Sequence, residues 1–261
     1  MSIPAYFILG TPTSGRRGIV WNSIDAGSLD GDFSIVFVSE NESPSDFDAT
    51  IAKADNAGIV KYSDTFDAAE KLAALDPEKI TRVFFIADST KNPADEVEGF
   101  KSLVDGGAIR LARIWSVVDC SMYEKFPKQT AKYLDMLAHF ADCVVLSRRS
   151  GASNRSVEDL RAHWEKMRHP HLVEYADKKF ATKSPMEMLV EEARRISMLF
   201  DEFDPVDELE LDDENLPEEP FSLERKPDPY LVKLQNSMRA NPIENPAQYA
   251  LKAREMENEK I

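Results

Sequence analysis

The sequence Ala5-Tyr-Phe-Ile-Leu-Gly10-Thr-Pro-Thr-Ser-Gly15-Arg16-Arg17 decides the fold of this chain. Five apolar residues lead into a loop with two glycines five positions apart, and two arginines follow the second glycine. This is the outline of the phosphate-binding loop G-x-x-x-x-G-K-[ST], which joins a strand to a helix. Arg16 stands where the motif has lysine, and Arg17 stands where it has the hydroxyl that binds Mg²⁺. The outline predicts a strand, a loop and a helix, and leaves open whether the loop binds a nucleotide.

The composition fits one large domain, or one domain with an appendage, in 261 residues. The net charge of −15 argues against nucleic acid or an anionic membrane as the main partner. No apolar run is long enough to span a bilayer, and the start of the chain lacks the pattern of a secretory signal. We therefore expect a cytoplasmic protein in which Cys120 and Cys143 are buried free thiols.

Short apolar runs alternate with segments of helical periodicity along the first 200 residues. Their continuous apolarity and their Val, Ile and Phe content are typical of strands buried on both faces of a parallel sheet. The alternation predicts an α/β fold with a mostly parallel sheet sandwiched by helices, and ligands of such sheets bind at the carboxyl ends of the strands. The predicted strands are residues 5–9, 33–38, 83–87, 114–118, 143–146 and, more weakly, 172–175. The predicted helices are residues 17–26, 46–56, 65–75, 94–105, 127–140, 156–167 and 184–200.

The composition changes after residue 200. Twelve acidic residues, three prolines and no lysine or arginine occur between residues 201 and 224. We therefore predict a domain over 1–200, an acidic linker or surface-pinned segment over 201–226 and a short helical tail over 227–261. Tail helices are expected at 228–239 and 246–259. Two alternatives stay open for this extension: it docks on its own domain, or it binds a protein partner.

Four further segments follow the loop in a recognisable order. They are Ile35-Val-Phe-Val-Ser-Glu-Asn-Glu42, Arg82-Val-Phe-Phe-Ile-Ala-Asp-Ser-Thr90, Ile114-Trp-Ser-Val-Val-Asp-Cys120 and Phe140-Ala-Asp-Cys-Val-Val-Leu-Ser-Arg-Arg-Ser150. Their order and spacing resemble the CobW/UreG/HypB-type metallochaperone GTPases, and the CobW branch most closely, over roughly residues 4–180. The resemblance implies a P-loop NTPase-like fold, GTP or ATP with Mg²⁺ as cofactors, and guanine recognition by the segment that ends at Ser150.

Almost every functional position departs from this family. Ser147 and Arg148 replace the Asn and Lys of the guanine motif, and Ser150 replaces the Asp that accepts two hydrogen bonds from guanine. The family's Cys-x-Cys-Cys metal motif has no counterpart near residues 58–62, and the segment after Asp88 lacks the Glu-x-x-Gly pattern. We therefore predict no metal site, and the spacing around the His169-Pro-His171 pair does not complete one.

The candidate nucleotide-binding residues come from the loop and from the altered guanine motif. Arginines from both segments should meet at one end of the sheet, either as an anion site of altered specificity or as a basic surface that answers the acidic segment. No residue is predicted to be catalytic. The candidate residues are Gly10, Thr11, Thr13, Ser14, Gly15, Arg16, Arg17, Ser147 and Arg148.

These departures lead to three hypotheses. The leading one is a degenerate CobW-like domain, non-catalytic or weakly nucleotide-binding, that works as an interaction or assembly protein. The alternative is an active GTPase or ATPase in which Arg16 takes the lysine role and Asp88 or Asp119 holds Mg²⁺. In the third, residues 201–224 fold over the arginines and mimic a phosphate ligand.

Overall fold

A computed structural model describes residues 2–201 and 227–259. The predicted acidic segment 201–226 lies outside the described residues except for its first position, so its structure stays a prediction. The strands are β1 Ile3–Gly10, β2 Ser34–Ser39, β3 Ala57–Tyr62, β4 Arg82–Ile86, β5 Ile109–Asp119, β6 Cys143–Ser147 and β7 Leu172–Tyr175. The helices are α1 Arg16–Gly27, α2 Asp46–Lys53, α3 Thr65–Ala73, α4 Pro93–Asp105, α5 Cys120–Lys125, α6 Pro127–Phe140, α7 Asn154–Lys166, α8 Pro185–Met188 and α9 Ala247–Asn258, with a 3₁₀ turn at Arg149–Gly151.

The seven strands form one parallel sheet in the order β3-β2-β4-β1-β5-β6-β7. Strand β1 lies in the middle of the sheet, and its successive side chains point to opposite faces. Because helices cover both faces, both sets of side chains are buried, and the strand needs a continuous apolar run. Phe7 and Leu9 pack into one core with Phe85 and Phe100, and Ile8 packs into the other core. The prediction of a mostly parallel sheet between helices is confirmed, and the loop after β1 lies at the carboxyl edge of the sheet.

The helix predicted over 184–200 is wrong beyond its first turn, α8. Side chains from the sheet bind the backbone carbonyls that a longer helix would need for itself. The Arg113 guanidinium donates to the carbonyls of Glu187 and Glu192, at 2.7 and 3.1 Å, and the Tyr6 hydroxyl donates to the Leu189 carbonyl at 2.7 Å. Tertiary hydrogen bonds therefore replace helical ones in this segment.

The helix predicted over 228–239 is also wrong. The segment folds into a short antiparallel hairpin, in which the Leu234 N–H donates to the Met238 carbonyl at 2.8 Å. Within the segment, the Arg239 guanidinium donates to the Leu231 carbonyl at 2.9 Å. The same guanidinium donates to the carboxylates of Asp95 and Glu98 on α4, which fixes the hairpin to the domain.

The second tail helix is present as α9, and it packs against the domain. Ala250 and Ala253 are fully buried, and the Lys125 ammonium donates to the Ala253 carbonyl at 2.6 Å. The Tyr249 ring lies 5.1 Å from the ring of Phe126. The predicted span 246–259 agrees with these contacts.

Two elements were not predicted, strand β3 and the short helix α5, and one helix begins earlier than predicted. Strand β3 lies at the edge of the sheet, and Gly58 and Lys61 interrupt its apolar residues. Helix α7 begins at Asn154 rather than at Ser156, since the Ser153 hydroxyl caps it by accepting the Ser156 N–H at 3.2 Å.

Both cysteines are buried free thiols, as predicted. Burial raises the pKa of Cys120 to about 12 and also raises the pKa of Cys143. In the described part of the chain, no helix combines the length and the apolarity that crossing a bilayer requires.

Candidate functional site

The loop between β1 and α1 keeps the backbone path that its two glycines predict. Gly10 has φ 138°, and a Cβ there would lie 2.5 Å from the Val117 carbonyl oxygen. Gly15 has φ 88° and precedes α1, whose N-terminus has no side-chain cap. Within the loop, the Ser14 N–H and hydroxyl both donate to the Thr11 carbonyl, at 3.2 and 2.8 Å. Uncapped N–H groups at the start of a helix favour an anion, so the loop retains one element of a phosphate site.

Arg16 is buried and bound by the chain itself. Its side chain is only 3% exposed. One terminal nitrogen donates to the Ala87 carbonyl at 2.5 Å, and the other donates to the Glu42 carboxylate at 2.8 Å. The guanidinium is therefore held between the loops that follow β2 and β4.

Glu42 is the carboxylate that ties these loops together. Its second oxygen accepts the Ser89 N–H at 2.7 Å, and its side chain is 4% exposed. Burial alone would raise the pKa of Glu42, but the Arg16 guanidinium and the Ser89 hydrogen bonds hold it below its ordinary value. Glu42 therefore stays ionised and presents a fixed negative charge to the loop.

Arg17 makes a second, partly satisfied set of contacts. Its Nη1 donates to the Ser43 carbonyl at 2.7 Å and to the Asp48 carboxylate at 3.0 Å. Its Nη2 is buried without a hydrogen-bond partner and lies 3.7 Å from the Glu42 carboxylate. The two loop arginines are therefore buried ion pairs, and the interpretation of them as part of an exposed basic surface is wrong.

Arg148 reaches the loop from the other segment, so the two predicted halves of the site do meet. Its Nε donates to the Thr13 carbonyl and lies 3.6 Å from the Asp119 carboxylate. Asp119 also accepts the Thr13 hydroxyl at 3.0 Å. Burial of Asp119 raises its pKa, while the Met122 N–H and the Arg148 charge act in the opposite direction. This network joins the end of β5, the loop and the residue after β6.

The other residues of the altered guanine motif turn away from the loop. The Ser147 hydroxyl is buried and donates to the Val118 carbonyl at 3.1 Å. The Arg149 guanidinium lies over the Tyr175 ring, 4.7 Å from its centroid. Ser147 is therefore a structural hydroxyl, and Arg148 is the member of the motif that contacts the loop.

Phe180 is the residue that sequence reasoning missed. It lies in a turn at φ 64°, in which the Asp177 carboxylate accepts the N–H groups of Lys179 and Ala181 at 2.7 and 2.9 Å. The Arg148 guanidinium lies 5.1 Å from the centroid of its ring. Asp177 was the available signal, since Asp favours such turns, but no glycine marks the left-handed position.

A cavity of about 230 Å³ opens beside the loop. Its lining includes Gly15, Arg16, Arg17, Glu42, Arg148 and Phe180. All three arginines that were predicted for the site therefore line this one cavity.

The acidic residues proposed for Mg²⁺ do not fit the ion. The Asp88 oxygens accept from the Asn41 amide at 2.7 Å and from the Thr90 hydroxyl and N–H at 2.6 and 2.9 Å. Asp119 is buried and occupied by Thr13 and Met122. Residues 2–201 and 227–259 contain no group of three or more His, Cys, Asp or Glu arranged to hold a metal ion. The carboxylate oxygens that would have to serve as Mg²⁺ ligands already accept hydrogen bonds from other groups of the chain.

Comparisons with models of known families and with curated proteins find no match. Among solved structures, the Zn(II)-bound YjiA GTPase from E. coli has a TM-score of 0.43 and 12% identity, over 74% of this chain and 67% of that chain. An LAO/AO transport system kinase has a TM-score of 0.46 and 16% identity, over 66% and 53%. The signal recognition particle receptor FtsY from Elizabethkingia anophelis has a TM-score of 0.48 and 11% identity, over 71% and 63%. The chain spans about half to two thirds of the length of these proteins.

Proposed function

We propose that this chain is a degenerate CobW-like phosphate-loop domain that turns over no nucleotide and acts as an interaction or assembly protein. The observation that carries the proposal is the burial of Arg16 between Glu42 and the Ala87 carbonyl. A loop side chain that serves phosphoryl transfer has to be free to bind the β- and γ-phosphates. Here it has partners of the chain's own, and separating a buried pair is costly.

Two other altered positions support the same proposal. Arg17 cannot replace the Mg²⁺-binding hydroxyl, because a guanidinium offers donors only. Ser150 lacks the carboxylate that would accept two hydrogen bonds from guanine. The positions that a P-loop GTPase uses for the phosphates, for Mg²⁺ and for guanine thus carry side chains of different chemistry in this sequence.

The direct test is turnover of GTP and ATP with Mg²⁺ by the purified chain. We expect no phosphate release above the uncatalysed background, and turnover near ~1 s⁻¹ or faster would contradict the proposal. The double substitution Arg16→Lys with Arg17→Ser restores the side chains of the motif and tests whether they limit nucleotide binding. Arg155→Lys is the matched control, because the Arg155 side chain is 91% exposed.

We place the partner surface in the acidic segment 201–226, because the hairpin and α9 of the tail pack on the domain. Its support is the concentration of twelve acidic residues between positions 201 and 224, a stretch whose sequence contains no lysine or arginine. Such a segment favours a basic protein surface and an association that salt weakens. The test compares the chain with a variant in which these twelve residues become Asn or Gln, measuring salt-dependent co-purification from the native host. Equal recovery of the same partner with both chains would contradict this surface.

A second candidate, nucleotide or anion binding without turnover, is favoured by the uncapped N-terminus of α1 and the cavity beside it. Calorimetry with GTP, ATP and their diphosphates tests this candidate. Absence of binding at millimolar ligand would end it.

A further inference from the structure

An apolar groove of about 510 Å³ lies on the side of the domain that carries α4 and α6. Its lining is mostly apolar and comes chiefly from residues 196–199 and 227–232. Three large apolar side chains of this lining remain open to water, because Ile196 is 39% exposed, Met198 43% and Val232 36%. A contiguous exposed apolar surface of this kind is typical of an interaction site.

Hydrogen bonds at the end of α6 hold both walls of the groove in place. The His139 carbonyl accepts the N–H groups of Ile196 and Ser197, at 3.2 and 3.1 Å, which fixes the first wall. The Asp228 carboxylate accepts the Ser197 hydroxyl at 2.6 Å and lies 2.8 Å from the His139 Nε2, which fixes the second wall. The groove is therefore formed before any partner arrives, so binding to it does not have to order its walls.

The charged groups of the lining are already paired within the chain. Glu98 accepts hydrogen bonds from the Lys233 ammonium and the Arg239 guanidinium, both at 2.7 Å. Asp228 is engaged by His139 and by the Ser197 hydroxyl. The groove itself therefore offers apolar contact, and the charge that selects a partner has to come from outside its lining.

The acidic segment supplies that charge, since it is joined to both walls of the groove. Leu199 and Pro227 line the groove, Glu202 follows Leu199 by three positions, and Glu224 precedes Pro227 by three. Three residues of fully extended chain span at most about 11 Å. This limit is close to the distance of about 10 Å over which charges act at 0.1 M salt. Covalent attachment alone thus keeps negative charge near both sides of the groove, and it favours a cationic partner.

We propose that the groove binds the apolar side chains of a basic protein segment, whose neighbouring lysine or arginine residues pair with the acidic segment. The proposal rests on the proposed function and names the chemistry of its partner. Apolar contact in the groove supplies affinity, and the opposite charges speed the encounter. A second copy of the chain fits less well, because each copy carries a net charge of −15 and the copies repel each other.

The test measures the binding of two labelled synthetic peptides to the full chain by fluorescence anisotropy. One peptide consists of lysine and leucine, with the leucines on one helical face, and the other has alanine in place of each leucine. The two peptides have the same charge, so the ratio of their affinities reports apolar contact alone. We expect the leucine peptide to bind at least about tenfold more tightly, and added salt to weaken the binding of both.

The double variant Ile196→Thr with Val232→Thr removes apolar surface from the groove. It should reduce the preference for the leucine peptide by about fivefold or more. The matched control is Leu29→Thr with Val190→Thr, because these side chains are 74% and 52% exposed and line a different cavity. The control should leave the preference unchanged. Since all four side chains are exposed, both variants should fold, and thermal unfolding verifies this.

The variant with the twelve acidic residues changed to Asn or Gln separates the groove from the charge. It should weaken both peptides and keep the preference for leucine. If it binds both peptides as tightly as the unmodified chain does, the proposed acidic partner surface fails. If the unmodified chain binds neither peptide, or both equally, or if the groove variant keeps the preference, the groove proposal fails instead.

Two further measurements identify the other occupants of the groove, and either result would overturn the proposal. Sedimentation equilibrium that shows a dimer, which Ile196→Thr with Val232→Thr dissociates, would assign the groove to a second copy. A variant in which the apolar residues of the acidic segment become Ser reports on the chain itself. Tighter binding of the leucine peptide by this variant would assign the groove to the chain's own segment.

Discussion

At the scale of single residues, Glu42 joins three loops through one carboxylate. Replacing it in Glu42→Gln removes the charge that balances Arg16. We expect a loss of about 2 kcal/mol in the free energy of unfolding at pH 7, the magnitude typical of hydrogen bonds to charged groups. Urea unfolding measures this loss. Glu255→Gln, at an exposed position, is the control and should change stability little.

The same residue predicts a pH dependence. The pKa of Glu42 is lowered in the folded protein, so its contribution to stability is complete above its ordinary value of about 4.5 and is lost as pH falls through the folded value. As the pH falls below about 4.5, the unmodified chain should lose stability more steeply than Glu42→Gln. Parallel curves for the two proteins would contradict this assignment.

Comparing Gly15 with Gly31 separates the cost of backbone strain from the cost of a steric clash with a neighbouring side chain. Both have positive φ, 88° and 89°, but a Cβ on Gly31 meets nothing within 4 Å, whereas one on Gly15 meets the Phe180 ring. Gly31→Ala should cost about 1 kcal/mol, and Gly15→Ala at least about 1 kcal/mol more. Thermal unfolding of both variants measures the difference. Adding Phe180→Ala should shrink that difference, and a difference that persists would show that the ring is not its cause.

At the scale of elements, the buried strands could be predicted, whereas the edge strand β3 could not and two predicted helices were wrong. Buried parallel strands such as β1 and β6 need continuous apolar runs, so the sequence carries their signal. The edge strand β3 is only partly buried and has no such run. The segment after α8 has a helical pattern, but Arg113 binds its carbonyls from a strand more than seventy residues away. Partners this distant leave no mark in local periodicity.

Two arginines of β5, Arg110 and Arg113, contact the segment after α8 and can be compared as a matched pair. Arg113 is buried, whereas Arg110 is half-exposed and makes an ion pair with Glu191. Arg113→Ala should destabilise the protein by at least about 2 kcal/mol, because the Glu187 and Glu192 carbonyls lose their donors, while Arg110→Ala should cost about 0–1 kcal/mol. Denaturant unfolding compares the two. Faster amide hydrogen exchange in residues 187–194 of Arg113→Ala would locate the effect, and equal stabilities would contradict it.

At the scale of the whole molecule, α9 makes the end of the chain part of the domain. Removing residues 247–261 uncovers the surface that Ala250, Ala253 and Tyr249 bury and leaves Lys125 without the Ala253 carbonyl. We expect this truncation to lower the melting temperature by several degrees, the effect of about 2 kcal/mol in a domain of this size. Leu251→Ala is the control, because Leu251 is 51% exposed. A truncated chain as stable as the full one would show that α9 contributes no folding energy.

Part of the candidate site could be predicted from the sequence, and part of it could not. The glycine spacing predicted the loop, and the shared sheet edge predicted that Arg148 would meet it. The partners of Arg16 and the position of Phe180 depend on tertiary packing, so residue types alone did not reveal them. The loop outline is thus a guide to the fold, while the ligand depends on side chains far away in the sequence.

The burial of the two cysteines has a practical consequence. Neither native sulfur is exposed to a labelling reagent, and the raised pKa of each keeps it protonated at neutral pH. A cysteine introduced at the exposed position Met256 would therefore carry a fluorophore selectively in the otherwise native chain. Such a reporter would lie on α9, the helix whose Arg254 and Glu257 line a cavity of about 400 Å³ beside Ser150 and Asp177, and no native thiol would have to be removed.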